Sequence, residues 1–303
     1  MPAEPPTILG VRRSFVEARG VRFHVTEAGP PDGRPVVALH GWPQHHWEYR
    51  DLLADPPAGL RIIAPDLPGY GWSGPAPHRW AKEDVASDVL ALIDAMGLQN
   101  VVLVAHDWGA YVGYRMVLRE PGRFVGYIPI NMAHPWVPAR TAVAHIWRLT
   151  YQLPLATFGV PVQQRTDFIE RVILKVGSKL DAEEARTFAD RFRDPVCARA
   201  GRDTYRAFWL RDVPRALRHR ERRRASVPIR ALYGTGDFAV PPAFVAAVTA
   251  EADDYTLQTA DTTHFLVDER PDLVRARLVA LAEETRRWAA RRLATRTRGS
   301  PAL

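Results

Sequence analysis

Cysteine is nearly absent. The 303 residues contain one, Cys197, which excludes an internal disulfide and any metal site built from several thiolates. It stands in Asp194-Pro-Val-Cys-Ala-Arg199, a stretch with no catalytic signature, and is read as a buried thiol. Lysine is almost as scarce: Lys82, Lys175 and Lys179 are the only three, so the net charge of +7 is carried by arginine. No run approaches the ~18 uninterrupted apolar residues of a membrane-spanning helix. Residues 1–10 hold prolines and a glutamate where a signal peptide has a basic and then an apolar run, so a cytoplasmic protein without a membrane span is expected. The arginine-rich runs 218–224 and 286–298 carry neither interleaved aromatics nor a recognition motif. A solvated helix face and a frayed tail are expected there, and no nucleic-acid partner. Internal repeats and low-complexity blocks are also missing.

What is present is the make-up of a globular protein, 47% hydrophobic and 25% charged, long enough for one large core with an insertion. Phe15 to Glu27 reads as a hairpin about Arg19-Gly20. Pro35–Leu39, Arg61–Pro65 and Asn100–Ala105 are short apolar runs suited to strands buried on both faces. Between the last two, Lys82 to Met96 places Val85, Val89, Leu92, Ile93 and Met96 at helical spacing until Gly97 stops it. Strand, helix, strand, turn, helix is the pattern of an α/β protein with a mostly parallel sheet. After a strand at Gly126–Asn131 the chain lacks convincing strands until Pro228–Tyr233 and Tyr255–Thr259, and a helix from about Pro271 to Arg291 closes it. Residues 1–132 and 225–293 are therefore expected to form a split core, 133–224 an inserted helical cap, and 294–303 a tail.

The strongest chemical signal is Val102-Leu-Val-Ala-His-Asp-Trp-Gly-Ala110, a buried strand that runs through a small-x-Asp-x-small turn into a helix. This is a nucleophile elbow with Asp107 in the nucleophile's place. Ala105 and Gly109 are small because the strand must turn sharply into a closely packed helix, whose positive end favours the charge on Asp107. Taken alone, an aspartate before a helix is more often a mere N-cap. Its partners decide against that. Asp237 ends Ala231-Leu-Tyr-Gly-Thr-Gly-Asp237 and His264 lies just after the last strand, giving the order nucleophile, acid, histidine. Histidine takes a proton from water near neutral pH, and a carboxylate on its other nitrogen fixes its tautomer. In Leu39-His-Gly-Trp-Pro-Gln44 a tight turn is expected to aim the Trp42 backbone N–H beside that of Trp108, as an oxyanion hole, with a cis bond before Pro43. His40 and His106 are read as packing residues. Ser73 is read as a loop residue, since it opens no elbow.

These four stretches resemble the α/β-hydrolase fold, and within it the aspartate-nucleophile branch of epoxide hydrolases and haloalkane or haloacetate dehalogenases, over about Phe15 to Ala290. The resemblance implies a mostly parallel central sheet flanked by helices, with an inserted helical cap. It further implies Asp107 as nucleophile, Asp237 as charge partner, His264 as water-activating base, and an oxyanion hole from Trp42 and Trp108. A carboxylate suits displacement at saturated carbon because it needs no deprotonation, and water then attacks the resulting aspartyl ester. Neither metal nor organic cofactor is required.

The leaving atom separates epoxide from halide. An epoxide oxygen must be protonated, whereas a halide needs only N–H donors. Tyr151, in Thr150-Tyr-Gln-Leu153, and Tyr205, in Asp203-Thr-Tyr-Arg-Ala-Phe-Trp209, resemble the paired cap tyrosines of epoxide hydrolases. An epoxide and water are thus the expected small-molecule partners, with a homodimer left open. Trp42, Trp108, Phe208 and Trp209, along with Trp136 and Phe158, are expected to line an apolar pocket. A dehalogenase with the same triad and a catalytically silent ligand-binding protein of this fold are the alternatives.

Overall fold

The computed structural model describes residues 4–177, 179–218, 224–245 and 251–298. Its eight strands are β1 (Arg12–Ala18), β2 (Val21–Ala28), β3 (Arg34–Leu39), β4 (Leu60–Pro65), β5 (Val101–His106), β6 (Phe124–Ile130), β7 (Ile229–Gly234) and β8 (Tyr255–Ala260). They form one sheet in the order β1-β2-β4-β3-β5-β6-β7-β8. The β1/β2 and β2/β4 pairs are antiparallel and all the others parallel. Each parallel step returns through connections that cover the sheet, so the central strands are buried on both faces. Every residue of β5 is buried, each large aliphatic side chain there being worth about 1.5–3 kcal/mol, whereas the edge strands β1 and β8 are mostly exposed.

The apolar runs locate the strands to within one or two residues. The helix expected over 82–96 spans Lys82–Ala95, and the elbow helix spans Asp107–Arg119. Two layers of core flank the sheet. One contains Leu39, Leu103, Val112 and Met116, and the other Val36, Val102, Ile128 and Leu278. The last helix runs from Pro271 to Arg298, past position 294 where a tail was expected. The basic run 218–224 lies mostly outside the described residues, as do 299–303.

Between β6 and β7 the described chain is helical, from Ala139–His145 to Val213–Arg218, with no strand. Two of these helices are irregular. Gln152–Arg165 contains Pro161 and breaks helical geometry at Phe158, and Phe208–Asp212 is a π-helical turn. Such turns occur preferentially at functional sites. Among the described residues no helix is long and apolar enough to cross a membrane.

Candidate active site

The C-terminal ends of β3, β5, β6 and β7 deliver side chains to one place, where ligands bind in open α/β sheets. Asp107 is the first residue after β5 and has φ +47°, a left-handed conformation that costs a residue with a side chain about 1–2 kcal/mol. Two glycines leave room for it. A Cβ on Gly109 would sit 2.3 Å from the His40 carbonyl oxygen, and one on Gly41 would sit 2.5 Å from the Asp107 Cβ. The backbone is thereby folded so that the carboxylate leaves the turn toward the β3 loop. There the Trp42 N–H donates to Asp107 Oδ2 at 3.0 Å. Trp108 is the second residue of the elbow helix, so its N–H has no intrahelical partner. The Trp42–Pro43 bond is cis, as expected.

His264 faces Asp107 from the loop after β8, with Nε2 3.8 Å from Asp107 Oδ1. Its Nδ1 lies 2.9 Å from Asp237 Oδ2. Asp237 is itself held from three sides. Its Oδ1 accepts the Ala239 and Val240 N–H groups at 2.7 and 2.9 Å, and its Oδ2 accepts Asn131 Nδ2 at 2.7 Å. All three expected triad residues are thus brought together, and the acid is fixed as an acceptor.

Asn131 was not singled out in the sequence. It follows β6 with φ +47°, donates also to the Thr263 carbonyl at 3.1 Å, and accepts the Gly234 N–H at 3.2 Å. One amide therefore ties the β6, β7 and β8 ends together. Its only sequence signal is its place just past a buried strand, which many turn residues share.

His40 and His106, read as packing residues, are both buried and engaged by backbone groups. His40 Nε2 accepts the Leu67 N–H at 2.9 Å, and burial lowers its pKa. His106 Nε2 lies 2.8 Å from the His264 carbonyl, and its Nδ1 is 3.5 Å from Glu48 Oε2. Burial opposes its charge, yet Glu48 and Asp107 raise its pKa to about 9. Ser73 Oγ donates to the Asp66 carbonyl at 2.6 Å and accepts the His24 N–H, a loop brace. Cys197 is buried, and burial pushes its thiol up to about 12.

One cluster among the described residues has the composition of a metal site: His24, His46 and Asp66, with ligand atoms within 4.8 Å of one another. Its chemistry fits a brace better. Asp66 already accepts both histidine Nδ1 atoms, at 2.8 and 2.9 Å, and the backbone N–H groups of His46 and Trp72. Burial alone would raise the Asp66 pKa, but the two histidines hold it well below the usual range.

The helical segment supplies the opposite wall. Tyr151 and Tyr205 meet edge to face, with ring centroids 6.0 Å apart. Burial and the charge of Asp107 raise the pKa of both phenols, which stay protonated over the working range. The Trp108 ring meets that of Tyr205 edge to face, with centroids 5.8 Å apart, and Gln152 Nε2 donates to the Tyr151 hydroxyl at 3.5 Å. Gln152 is fixed in turn by the Trp209 indole N–H at 3.0 Å.

A cavity of about 490 Å³ opens from Asp107, Trp108 and Tyr151. Its walls include Trp136, Phe208 and Trp209, as expected, with Val143, Ile146 and Leu217 among the lining side chains that remain exposed. Two expectations need correction. Trp42 is not part of this wall, because the rings of Tyr151, Phe192 and Tyr205 cover it. Phe158 is 70% exposed, since the helix breaks at that residue and turns its ring outward.

A profile of the α/β-hydrolase fold matches residues 34–271. Mouse epoxide hydrolase 4 is 24% identical over 90% of this chain and 79% of its own. A haloalkane dehalogenase of Mycolicibacterium paratuberculosis is 32% identical over 55% of this chain and 56% of its own. The ligand-free structure of the epoxide hydrolase CorEH superposes with a TM-score of 0.75 at 20% identity, covering 89% of this chain and 98% of that one. The chain is a hydrolase of the α/β-hydrolase family, in the branch that contains epoxide hydrolases and haloalkane dehalogenases.

Proposed function

We propose that the chain is an epoxide hydrolase, with the helical segment acting as a cap over the nucleophile. The observation that carries this reading is the pair Tyr151 and Tyr205, in ring contact and near enough to Asp107 for burial and its charge to raise both phenol pKa values, with His264 Nε2 3.8 Å from the same carboxylate. A carboxylate of Asp107 attacks an epoxide carbon, and the C–O electron pair leaves on oxygen, which takes a proton from one tyrosine. The product is a hydroxyalkyl ester of Asp107.

Water then attacks the ester carbonyl as His264 removes its proton, with Asp237 steadying the imidazolium. The Trp42 and Trp108 backbone N–H groups bind the developing oxyanion. Collapse expels the second diol oxygen, which is protonated by His264. The acid re-formed at Asp107 ionises, and its proton restores the tyrosine. Epoxide and water are consumed and a vicinal diol leaves, so no external proton is needed.

The cavity speaks to substrate size. At about 490 Å³ it lies within the range of pockets for drug-sized ligands, so a bulky apolar substituent on the epoxide is expected in place of a two- or three-carbon compound. Dehalogenation is the second reading, favoured by the likeness to the haloalkane dehalogenase of Mycolicibacterium paratuberculosis. Incubation with a panel of aryl epoxides and haloalkanes, scoring diol and halide separately, tests the choice. Diol formation supports the first reading, and halide release without diol formation replaces it with the second.

A further inference from the structure

Lys82 is the only buried lysine, and it sits where electrostatics disfavours it. It is the first residue of the helix Lys82–Ala95, at the positive end of the helix dipole. Its ammonium is fully buried and donates to the Thr204 carbonyl at 2.7 Å. Asp212, in the π-helical turn of the helical segment, pairs with it at 3.3 Å. Burial lowers the Lys82 pKa, and Asp212 opposes that effect. Nothing in the triad or the sheet requires this charge, so its position has another cause.

That position is the face of an aromatic ring. The Lys82 Nζ lies 4.1 Å from the ring centroid of Trp108, the residue next to the nucleophile. A cation there is attracted to the indole face and holds the ring in place. The same indole meets the ring of Tyr205 edge to face, with centroids 5.8 Å apart. Fixing the indole therefore fixes the phenol ring that meets it. We propose that Lys82 is a positioning residue for the acid Tyr205, acting through Trp108, with Asp212 as its counter-charge. The inference rests on the epoxide hydrolase reading, in which Tyr205 gives up a proton.

A double-mutant cycle tests the route. Single-turnover formation of the Asp107 ester from styrene oxide is followed by quenched intact-protein mass spectrometry, and decay of the preformed ester is followed in a chase. Lys82→Met is expected to slow ester formation about fivefold and leave decay unchanged, with partial recovery in Lys82→Arg. In a Tyr205→Phe background Lys82→Met should have no further effect. The paired variant Lys82→Met/Asp212→Asn leaves no buried carboxylate unpaired and should reproduce the Lys82→Met rate, which guards against a folding defect. Equal slowing of both steps, an undiminished effect in the Tyr205→Phe background, or no effect at all overturns the proposal. If Tyr205→Phe alone leaves ester formation intact, the acid assignment falls and the relay with it. If Tyr205→Phe slows it and the cycle is additive, only the relay falls.

Discussion

The two halves of the site are held by different forces. On the sheet side, Asp107, Asp237 and His264 are fixed by backbone: a left-handed φ, two glycines with no room for a Cβ, and N–H donors on two of the carboxylates. On the helical side, Tyr151, Tyr205 and Phe208 are held by ring against ring, on helices broken by a kink and a π-turn. The contrast assigns labour. Backbone geometry holds reacting atoms to a fraction of an ångström, whereas stacked rings shape a cavity and tolerate change.

The sharpest way to break that contrast is to remove the proposed nucleophile. Asp107→Ala should abolish turnover while circular dichroism and the unfolding midpoint remain near wild type, because the side chain supports no core. Appreciable diol formation by the pure variant would refute the assignment. His264→Gln separates the two chemical steps: the ester should form and persist, visible as a substrate-sized mass increase, with turnover nearly lost. Neither an adduct nor a slower turnover would sink the division of labour between the two residues.

On the helical side the expected effects are graded. Tyr151→Phe or Tyr205→Phe removes a hydroxyl and keeps the ring, so ester formation should slow roughly 10²-fold, about 2–4 kcal/mol by analogy with the loss of an oxyanion-hole donor. The double variant should be nearly inactive on epoxides and retain any side activity on alkyl halides. Unchanged single-turnover rates in the folded double variant would remove the tyrosines from the reaction.

Two substitutions compare the halves as structure. Gly109→Ala drives a methyl group into the His40 and Leu39 carbonyls and should lower stability by about 2–4 kcal/mol, read by urea denaturation. Phe158→Ala, on an exposed ring, should change it by less than about 0.5 kcal/mol. Equal effects would mean that the helical segment is as tightly constrained as the elbow.

The same contrast governs what the sequence reveals. The strands are legible because strands buried on both faces read as uninterrupted apolar runs, and the elbow because a sharp strand-to-helix turn admits few residues. Asp237 and His264 are legible by their order and their place after strands. Asn131, Lys82 and Asp212 are not, since each acquires its role from groups far off in sequence: Asp237 for the first, Trp108 and one another for the other two. Phe158 and Trp42 show the converse failure. Both are aromatic and near the right motifs, but composition does not say which way a kinked helix turns its ring or which neighbours cover an indole. The Asp66 brace was invisible for the same reason, its two histidines lying on β2 and beyond β3.

Strands β6 and β7 are hydrogen-bonded neighbours although the whole helical segment intervenes between them. The segment leaves and re-enters the sheet at adjacent points, so to the core it is one long loop. The entropy of closing a loop grows only with the logarithm of its length, about 0.6 kcal/mol per doubling. Lengthening, shortening or replacing the segment therefore perturbs sheet stability little, while redrawing nearly every surface that a substrate meets. A scaffold wired in this way can change its clientele by exchange of a single insert and leave Asp107, Asp237 and His264 where they are.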